Sequence, residues 1–356
     1  MSPGPPVDGV HPEGDRVGLT LGKFAPFHRG HQHLVETALS EIDHLIVAVY
    51  DAPESEIPLP RRAAWIRRLY PEAEVVEAWG GPAEVGYTAE IKRAQEEYLL
   101  SLLGQRRITH FFSSEPYGEH VSKALGAIDR RVDPERGTVP VRGRDVRRNP
   151  SAWRDYLDPL VYRDLVLNVV ALGGPSTGKT TLTEALASHF STALMPEYGR
   201  EFWHLHQAQR RLTQEQLVDL AEGHLAREEE RLLEADRYLF TDTNAVTTYL
   251  YCQLWHSHSP HHLRKLAVAC RDRYDLVILC ADDFPHAETW DRSGAGERSV
   301  LQAMTRAFLR EYRIPHLLVQ GGPEERLEAA VRCVSGLRKF ADLPVVTSAG
   351  VGPPTP

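Results

Sequence analysis

Apolar and polar positions follow one another along this chain in two rounds of the same rhythm. Short apolar runs stand at VGLTLGKF (17–24) and HLIVAVYD (44–51). Each reads as a strand covered on both faces, as parallel strands are. Between them the spacing predicts a helix over about residues 31–40. Further strands are expected at EVVEA (74–78) and ITHFFSS (108–114), with a helix over about 88–103. The rhythm then restarts. DLVLNVVALGG (164–174) is an apolar strand that runs into glycines, and a helix is expected from Lys179. Thr213-Gln-Glu-Gln216 has the spacing of a capping box. It would open a long charged helix to about Glu234, read as a solvated helix over the second site and a candidate oligomer contact. RYLFTDT (237–243) and DLVILCA (275–281) read as strands ending in polar residues, and ERLEAAVRCVSGLRKF as a closing helix.

Strand and helix alternating in this way predict an α/β chain with two doubly wound parallel-sheet domains. The expected domains are residues 17–157 and 158–340. The stretches 1–16 and 341–356, rich in Pro, Gly and charge, are expected to be disordered tails. Composition supports this reading and narrows it. A chain of 356 residues is long enough for two cores, and 42% apolar with 25% charged residues is ordinary for a globular protein. A formal net charge of −8 argues against a nucleic-acid partner. No apolar run approaches the roughly 20 residues of a membrane span, and no signal peptide precedes the first strand, so no membrane association is expected. Cys252, Cys270, Cys280 and Cys333 form no Cys-x-x-Cys pair. They read as free thiols, consistent with a cytoplasmic protein.

Two glycine motifs turn the fold into a chemistry, because each directly follows the first strand of its round. In open α/β sheets ligands bind at that carboxyl edge. Gly173-Gly174-Pro175-Ser176-Thr177-Gly178-Lys179-Thr180 has the spacing of a phosphate-binding loop, with Thr181 in the helix behind it. Such a loop turns backbone N–H groups and a helix N-terminus toward the phosphates of ATP. Lys179 would reach the β- and γ-phosphates, and the Thr180 hydroxyl would ligate Mg²⁺. Asp242, at the end of a strand, is the expected partner carboxylate, either on Mg²⁺ through water or as the base for an attacking hydroxyl. The glycine-containing segment from Asp283 to Arg298 offers Arg292 and Arg298 as lid cations. Glu197-Tyr198-Gly199-Arg200-Glu201 follows a short strand, where a small acceptor would lie.

The other motif is Gly22-Lys23-Phe24-Ala25-Pro26-Phe27-His28-Arg29-Gly30-His31, with the His-x-Gly-His signature of nucleotidyl transferases. Moving an AMP unit from ATP to a phosphate needs no protein nucleophile. Positioning and neutralisation of the α-phosphate suffice, and His28 and His31 on one turn at a helix start can supply both. Ser113–Gly118 is a candidate recognition loop. A basic stretch holding Arg136 and, from Arg142 to Arg148, Arg147 is a candidate second contact for the triphosphate. The cluster Trp255-His256-Ser-His258-Ser-Pro-His261-His262 matches no zinc spacing and reads as a polar loop between helices.

Taken in order, GKFAPFHRGH, VYDAP, PLPRRAAWIRRLYP, HFFSSEPYG, RRNP, GGPSTGKT, PEYGRE and FTDT resemble the bifunctional NadR-type family. In it a nicotinamide mononucleotide adenylyltransferase is joined to a ribosylnicotinamide kinase. The resemblance covers about residues 17–338. It implies a Rossmann-like nucleotidyltransferase domain followed by a P-loop kinase domain, with ATP, nicotinamide riboside, nicotinamide mononucleotide and NAD as ligands. It further implies Asp242 as the kinase base, Glu197, Tyr198 and Arg200 at the riboside, and Asp51, Arg62 and Trp65 at the mononucleotide. Some members carry an N-terminal helix-turn-helix; here residues 1–16 are too few for one, and no repressor activity is expected. The family's late phosphate loop usually reads Ser-Gly/Ala-Thr-x-Ile-Arg. Here the stretch is Arg142-Gly143-Arg144-Asp145-Val146-Arg147. That change motivates an alternative, a riboside kinase with a degenerate nucleotide-sensing N-terminal domain. A more distant one is an adenylyl- or cytidylyltransferase for another small phosphate, such as phosphopantetheine.

Overall fold

A computed structural model describes residues 15–52, 55–82, 88–207, 211–283 and 295–340. The chain divides into two units between Val161 and Tyr162. The first runs β1 (Val17–Gly22), α1 (Arg29–Glu41), β2 (His44–Tyr50), α2 (Leu59–Leu69), β3 (Glu74–Ala78), α3 (Ala89–Leu103), β4 (His110–Ser113), α4 (Gly118–Leu125), β5 (Ile128–Arg131) and α5 (Gly143–Arg148). Its five strands are parallel in the order β3-β2-β1-β4-β5. The strand order therefore reverses beside β1, and its carboxyl end with that of β4 borders a crevice. Leu19, Leu21, Ile46, Ala48 and Phe111 pack one face of this sheet against Leu99 and Leu103 of α3. The Thr88 hydroxyl starts α3 by accepting from the Ile91 N–H at 3.3 Å.

Helix α6 (Pro159–Leu165) carries the chain into the second unit. There follow β6 (Leu167–Leu172), α7 (Lys179–His189), β7 (Leu194–Met195), α8 (Tyr198–His206), α9 (Gln214–Glu234), β8 (Tyr238–Asp242), α10 (Ala245–His256), α11 (His261–Arg273), β9 (Leu276–Cys280), α12 (Ala295–Glu311), β10 (His316–Val319) and α13 (Pro323–Ser335). These strands are also parallel, in the order β10-β9-β6-β8-β7. Side chains alternate across the sheet. Val170, Leu172, Val277 and Leu279 pack toward α9–α12, while Val169, Ala171, Ile278 and Phe240 pack with α7 and α13. A central strand covered on both sides has no polar face, which is why β6 reads as an unbroken apolar run.

The structure corrects several expectations. The strand expected from Asp164 begins at Leu167, because α6, opened by Pro159 in its first position, runs through Leu165. Edge strands β5 and β10 were not foreseen. Helix α9 opens on the capping box as its spacing predicts, with the Thr213 N–H donating to Gln216 Oε1 at 2.8 Å. It is not simply solvated, however. Leu217, Leu220, Ala221, His224, Glu228 and Leu232 form a buried stripe at helical spacing. Of the clustered histidines, His256 ends α10 with Nε2 2.8 Å from Leu212 O, and His262 in α11 meets Glu222 Oε1 at 2.7 Å.

Candidate active sites

In the first unit β1 delivers its glycine, Gly22, to a turn that ends at His28, and α1 starts at Arg29. The His28 and His31 rings stack with centroids 3.6 Å apart. Phe24 closes one side, edge-on to His31 at 5.0 Å. A side chain at Gly30 would come within 3.1 Å of the His28 ring and press on it, and glycine spares the ring that contact. The His28 N–H donates to His31 Nδ1 at 3.3 Å, which leaves the proton of a neutral His31 on Nε2. Burial, with help from the Arg136 charge, lowers the His28 pKa to about 4. Burial and the neighbouring His28 hold His31 well below its ordinary value. Both rings are therefore neutral near pH 7 and can donate or accept single hydrogen bonds without bringing full charge into the cleft.

Gly22, Lys23, Phe24, His28, Gly30, His31, Asp51 and Arg136 all line one cavity of about 530 Å³. Arg136 also donates to Glu115 Oε1 at 2.5 Å. Arg147 is not in that lining. Its guanidinium donates to Ala25 O at 2.5 Å and so holds the turn before the histidines. Arg142 and Arg144 are exposed, while Val146 is buried and Gly143 opens α5 against the site. A side chain at Gly143 would lie 3.6 Å from His28 Nε2. The two arginines that replace the family's hydroxyls thus leave this helix start in place.

Arg62 and Trp65, expected to help hold the mononucleotide, are not in that cavity's lining. Both are only 1% exposed. Arg62 donates to Ile57 O at 2.9 Å, Lys23 O at 2.5 Å and Tyr50 O at 2.7 Å. It ties the ends of β1 and β2 together beneath the cavity, and a guanidinium used this way has little left for a ligand. The sequence reading missed Tyr98 of α3 and His120 of α4, which line the cavity from helices whose packing, not spacing, brings them there.

In the second unit the loop after β6 has Gly173 at φ 144° and Gly178 at φ 80°, both outside the comfortable range of residues with a side chain. A side chain at Gly173 would strike Cys280 O at 2.8 Å, and one at Gly174 would strike Arg298 O at 2.7 Å. Lys179 Nζ donates to Gly174 O at 2.9 Å, and the Thr177 hydroxyl to the same oxygen at 2.9 Å. Two residues outside the motif brace the loop. Gln302 of α12 accepts from the Gly174 N–H at 2.7 Å, and Arg326 of α13 donates to Thr177 O at 2.8 Å.

The Thr180 hydroxyl donates to Asp242 Oδ2 at 2.5 Å, while Asp242 Oδ1 is buried with no partner. Burial raises the Asp242 pKa, and the Lys179 charge opposes it. A hydroxyl beside a carboxylate with an unmet oxygen, at a phosphate loop, is a donor set that fits Mg²⁺ with its waters. Gly173, the loop from Pro175 to Thr181, Glu197 and Arg200 share a cavity of about 720 Å³. Arg200 stands 3.6 Å from Glu197. Arg298 stands beside Gly174 and is 6% exposed, with its Nε and Nη2 buried without hydrogen-bond partners, but it is not in the cavity lining. Arg292 lies outside the described residues. Tyr198, expected at the riboside, is not in the cavity lining: its ring packs on the core beside α9 and carries Arg227 at 3.9 Å from its centroid. The aromatic residues that do line the cavity, Trp203, Tyr251 and Trp255, had no local signal in the sequence.

Comparison with known proteins bears on both units. Residues 19–149 match the family described as cytidylyltransferase-like, and residues 168–326 match the AAA domain family. The trifunctional NAD biosynthesis/regulator protein NadR of Escherichia coli (strain K12) is 26% identical over 344 residues, covering 91% of this chain and 83% of that protein. The fold is similar to a crystal structure of NadR protein in complex with NAD and AMP-PNP. The TM-score there is 0.55 at 18% identity, over 94% of this chain and 99% of that one. A NadR structure in complex with NR gives a TM-score of 0.54 at 19% identity, over 90% and 96% of the two chains.

Proposed function

We propose that this chain, which is a protein of the NadR type, is a bifunctional enzyme of NAD salvage. It phosphorylates nicotinamide riboside with ATP and then joins the resulting mononucleotide to AMP, giving NAD and pyrophosphate. One observation carries the reading: a single chain holds two glycine-opened helix starts, one armed with Lys179, Thr180 and Asp242, the other with the stacked His28 and His31.

In the kinase unit Asp242 takes the proton of the riboside 5′-hydroxyl as that oxygen attacks the γ-phosphorus, and ADP leaves. Lys179 releases Gly174 O to meet the β- and γ-phosphates, and Arg298 supplies a further charge. Magnesium would be held by the Thr180 hydroxyl and Asp242, and would supply positive charge to offset that of the phosphates. Glu197 and Arg200 hold the sugar. Trp203, Tyr251 and Trp255 offer aromatic faces to the nicotinamide ring, which is cationic in the riboside. In the nucleotidyltransferase unit a phosphate oxygen of the mononucleotide attacks the α-phosphorus of ATP, and pyrophosphate leaves. Neutral His28 and His31, with the N–H groups at the start of α1, steady the charge that develops there. Lys23 and Arg136 face the same cavity and would meet the phosphates. The free thiols of Cys252, Cys270, Cys280 and Cys333 favour a reducing, cytoplasmic setting for this work.

The two halves separate by mutation. Lys179→Ala should reduce riboside phosphorylation by roughly 10²-fold or more and leave adenylyl transfer to supplied mononucleotide intact, and His31→Ala should do the reverse. Loss of both activities from either substitution would show that the sites are not assigned correctly.

A further inference from the structure

Helix α9 carries a polar device that neither reaction uses so far. Glu228 is 0% exposed, yet its carboxylate accepts from Asn168 Nδ2 at 2.7 Å, Arg273 Nε at 2.6 Å and Tyr274 Oη at 2.7 Å. One turn earlier on the same face, His224 is 5% exposed and lines the acceptor cavity. Its Nε2 stands 3.7 Å from Glu228 Oε2 and has no hydrogen-bond partner. Burial favours the neutral ring, with Glu228 pulling the other way. A buried imidazole left short of a partner is costly, unless a ligand draws it into a complete set of bonds.

His224 shares its cavity with Lys179, Thr180 and Glu197, and the Thr180 hydroxyl is bonded to Asp242. A pentose held in this cavity with its 5′-hydroxyl at Asp242 would have Glu197 and His224 among the polar side chains left for its ring hydroxyls. Hydrogen bonds that are long in a free enzyme tighten once the ligand is in place. With its Nε2–H turned to Glu228 Oε2, 3.7 Å away, a neutral His224 would keep Nδ1 as its acceptor.

We propose that His224, held by the Glu228 network, is a specificity-determining contact of the phosphoryl acceptor, accepting from a ring hydroxyl of the sugar so that the site selects ribosides over deoxyribosides. Glu228 is then a positioning residue that acts through His224. A site built to bond a hydroxyl rejects an analogue without it, because the buried group is left unpaired. The inference rests on the riboside kinase reading above.

The test compares wild type, His224→Leu and His224→Asn on nicotinamide riboside and its 2′-deoxy and 3′-deoxy analogues, with kcat/KM read for each. Wild type should prefer the riboside over at least one analogue by ~10- to 100-fold. His224→Leu should lose most of that preference, with the KM for ATP and adenylyl transfer to supplied mononucleotide unchanged. His224→Asn, which keeps a polar atom in the cavity and a fold-compatible side chain, should recover part of it. Equal losses on all three sugars, or undiminished discrimination in both variants, would overturn the role of His224 while leaving the riboside reading standing. A folded wild type that phosphorylates none of the three would overturn both.

Discussion

Asp242 is almost wholly enclosed at the end of β8, and its pKa is raised by that burial against the pull of Lys179. A carboxyl group whose folded pKa lies above its unfolded one adds stability only while protonated. That contribution is full at low pH and is lost as pH rises through the folded value. At neutral pH the carboxylate is thus carried at a cost to folding. Asp242→Asn should raise the melting temperature of the kinase unit at pH 7 while cutting phosphoryl transfer by roughly 10²–10⁴-fold. Calorimetry beside a kinase assay checks both halves; a lower melting temperature would show that the bond from Thr180 outweighs burial. His28 works with the opposite sign. Its pKa falls from 6.5 to about 4 on folding, so its contribution is present above pH 6.5 and fades as pH drops toward 4. Replacing His28 with Asn should flatten that acid loss in a pH series of urea unfolding curves. At this scale the sequence revealed residues whose role depends on local backbone, such as Gly30, Gly178 and Lys179. It misdirected on Arg62 and Tyr198, because which way a side chain leaves its helix is settled by packing that no spacing records.

The phosphate loop depends on elements far from it in sequence. Arg326 of α13 is buried and donates to Thr177 O at 2.8 Å, Gly321 O at 2.8 Å, Ala281 O at 3.2 Å and the Asp283 carboxylate. It binds the loop, the end of β9 and the turn before α13 into one frame. Arg326→Leu should destabilise the kinase unit by ~2–4 kcal/mol and raise the KM for ATP in riboside phosphorylation, with adenylyl transfer unaffected. Urea unfolding and an ATP titration read these out, and an unchanged KM would mean that the loop holds its shape alone. The central strands β6 and β9 were legible as unbroken apolar runs, since both of their faces are covered. Strands β5, with the sequence IDRR, and β10, with a half-exposed face, carry edge patterns that resemble loops. Helix α9 was legible as a helix from its capping box and charge. Its buried Glu228 was not, because a glutamate among glutamates gives no sign of which one turns inward.

Across the whole chain the two rounds of strand and helix became two parallel sheets, and each glycine motif stands at the carboxyl end of the first strand in its sheet. That placement was visible early because phosphate sites of this kind are local in sequence. The acceptor pockets were not, since their walls come from α3 and α4 in one unit and from α8 to α10 in the other. The stoichiometry of one reaction tests the two-site account most directly. Purified protein is given nicotinamide riboside and excess MgATP, and ADP, pyrophosphate, mononucleotide and dinucleotide are quantified over time. The account predicts that mononucleotide appears first, and that each NAD finally formed is matched by one ADP and one pyrophosphate. ADP and mononucleotide accumulating without pyrophosphate or NAD would contradict it, leaving the stacked histidines as a nucleotide-binding site without chemistry.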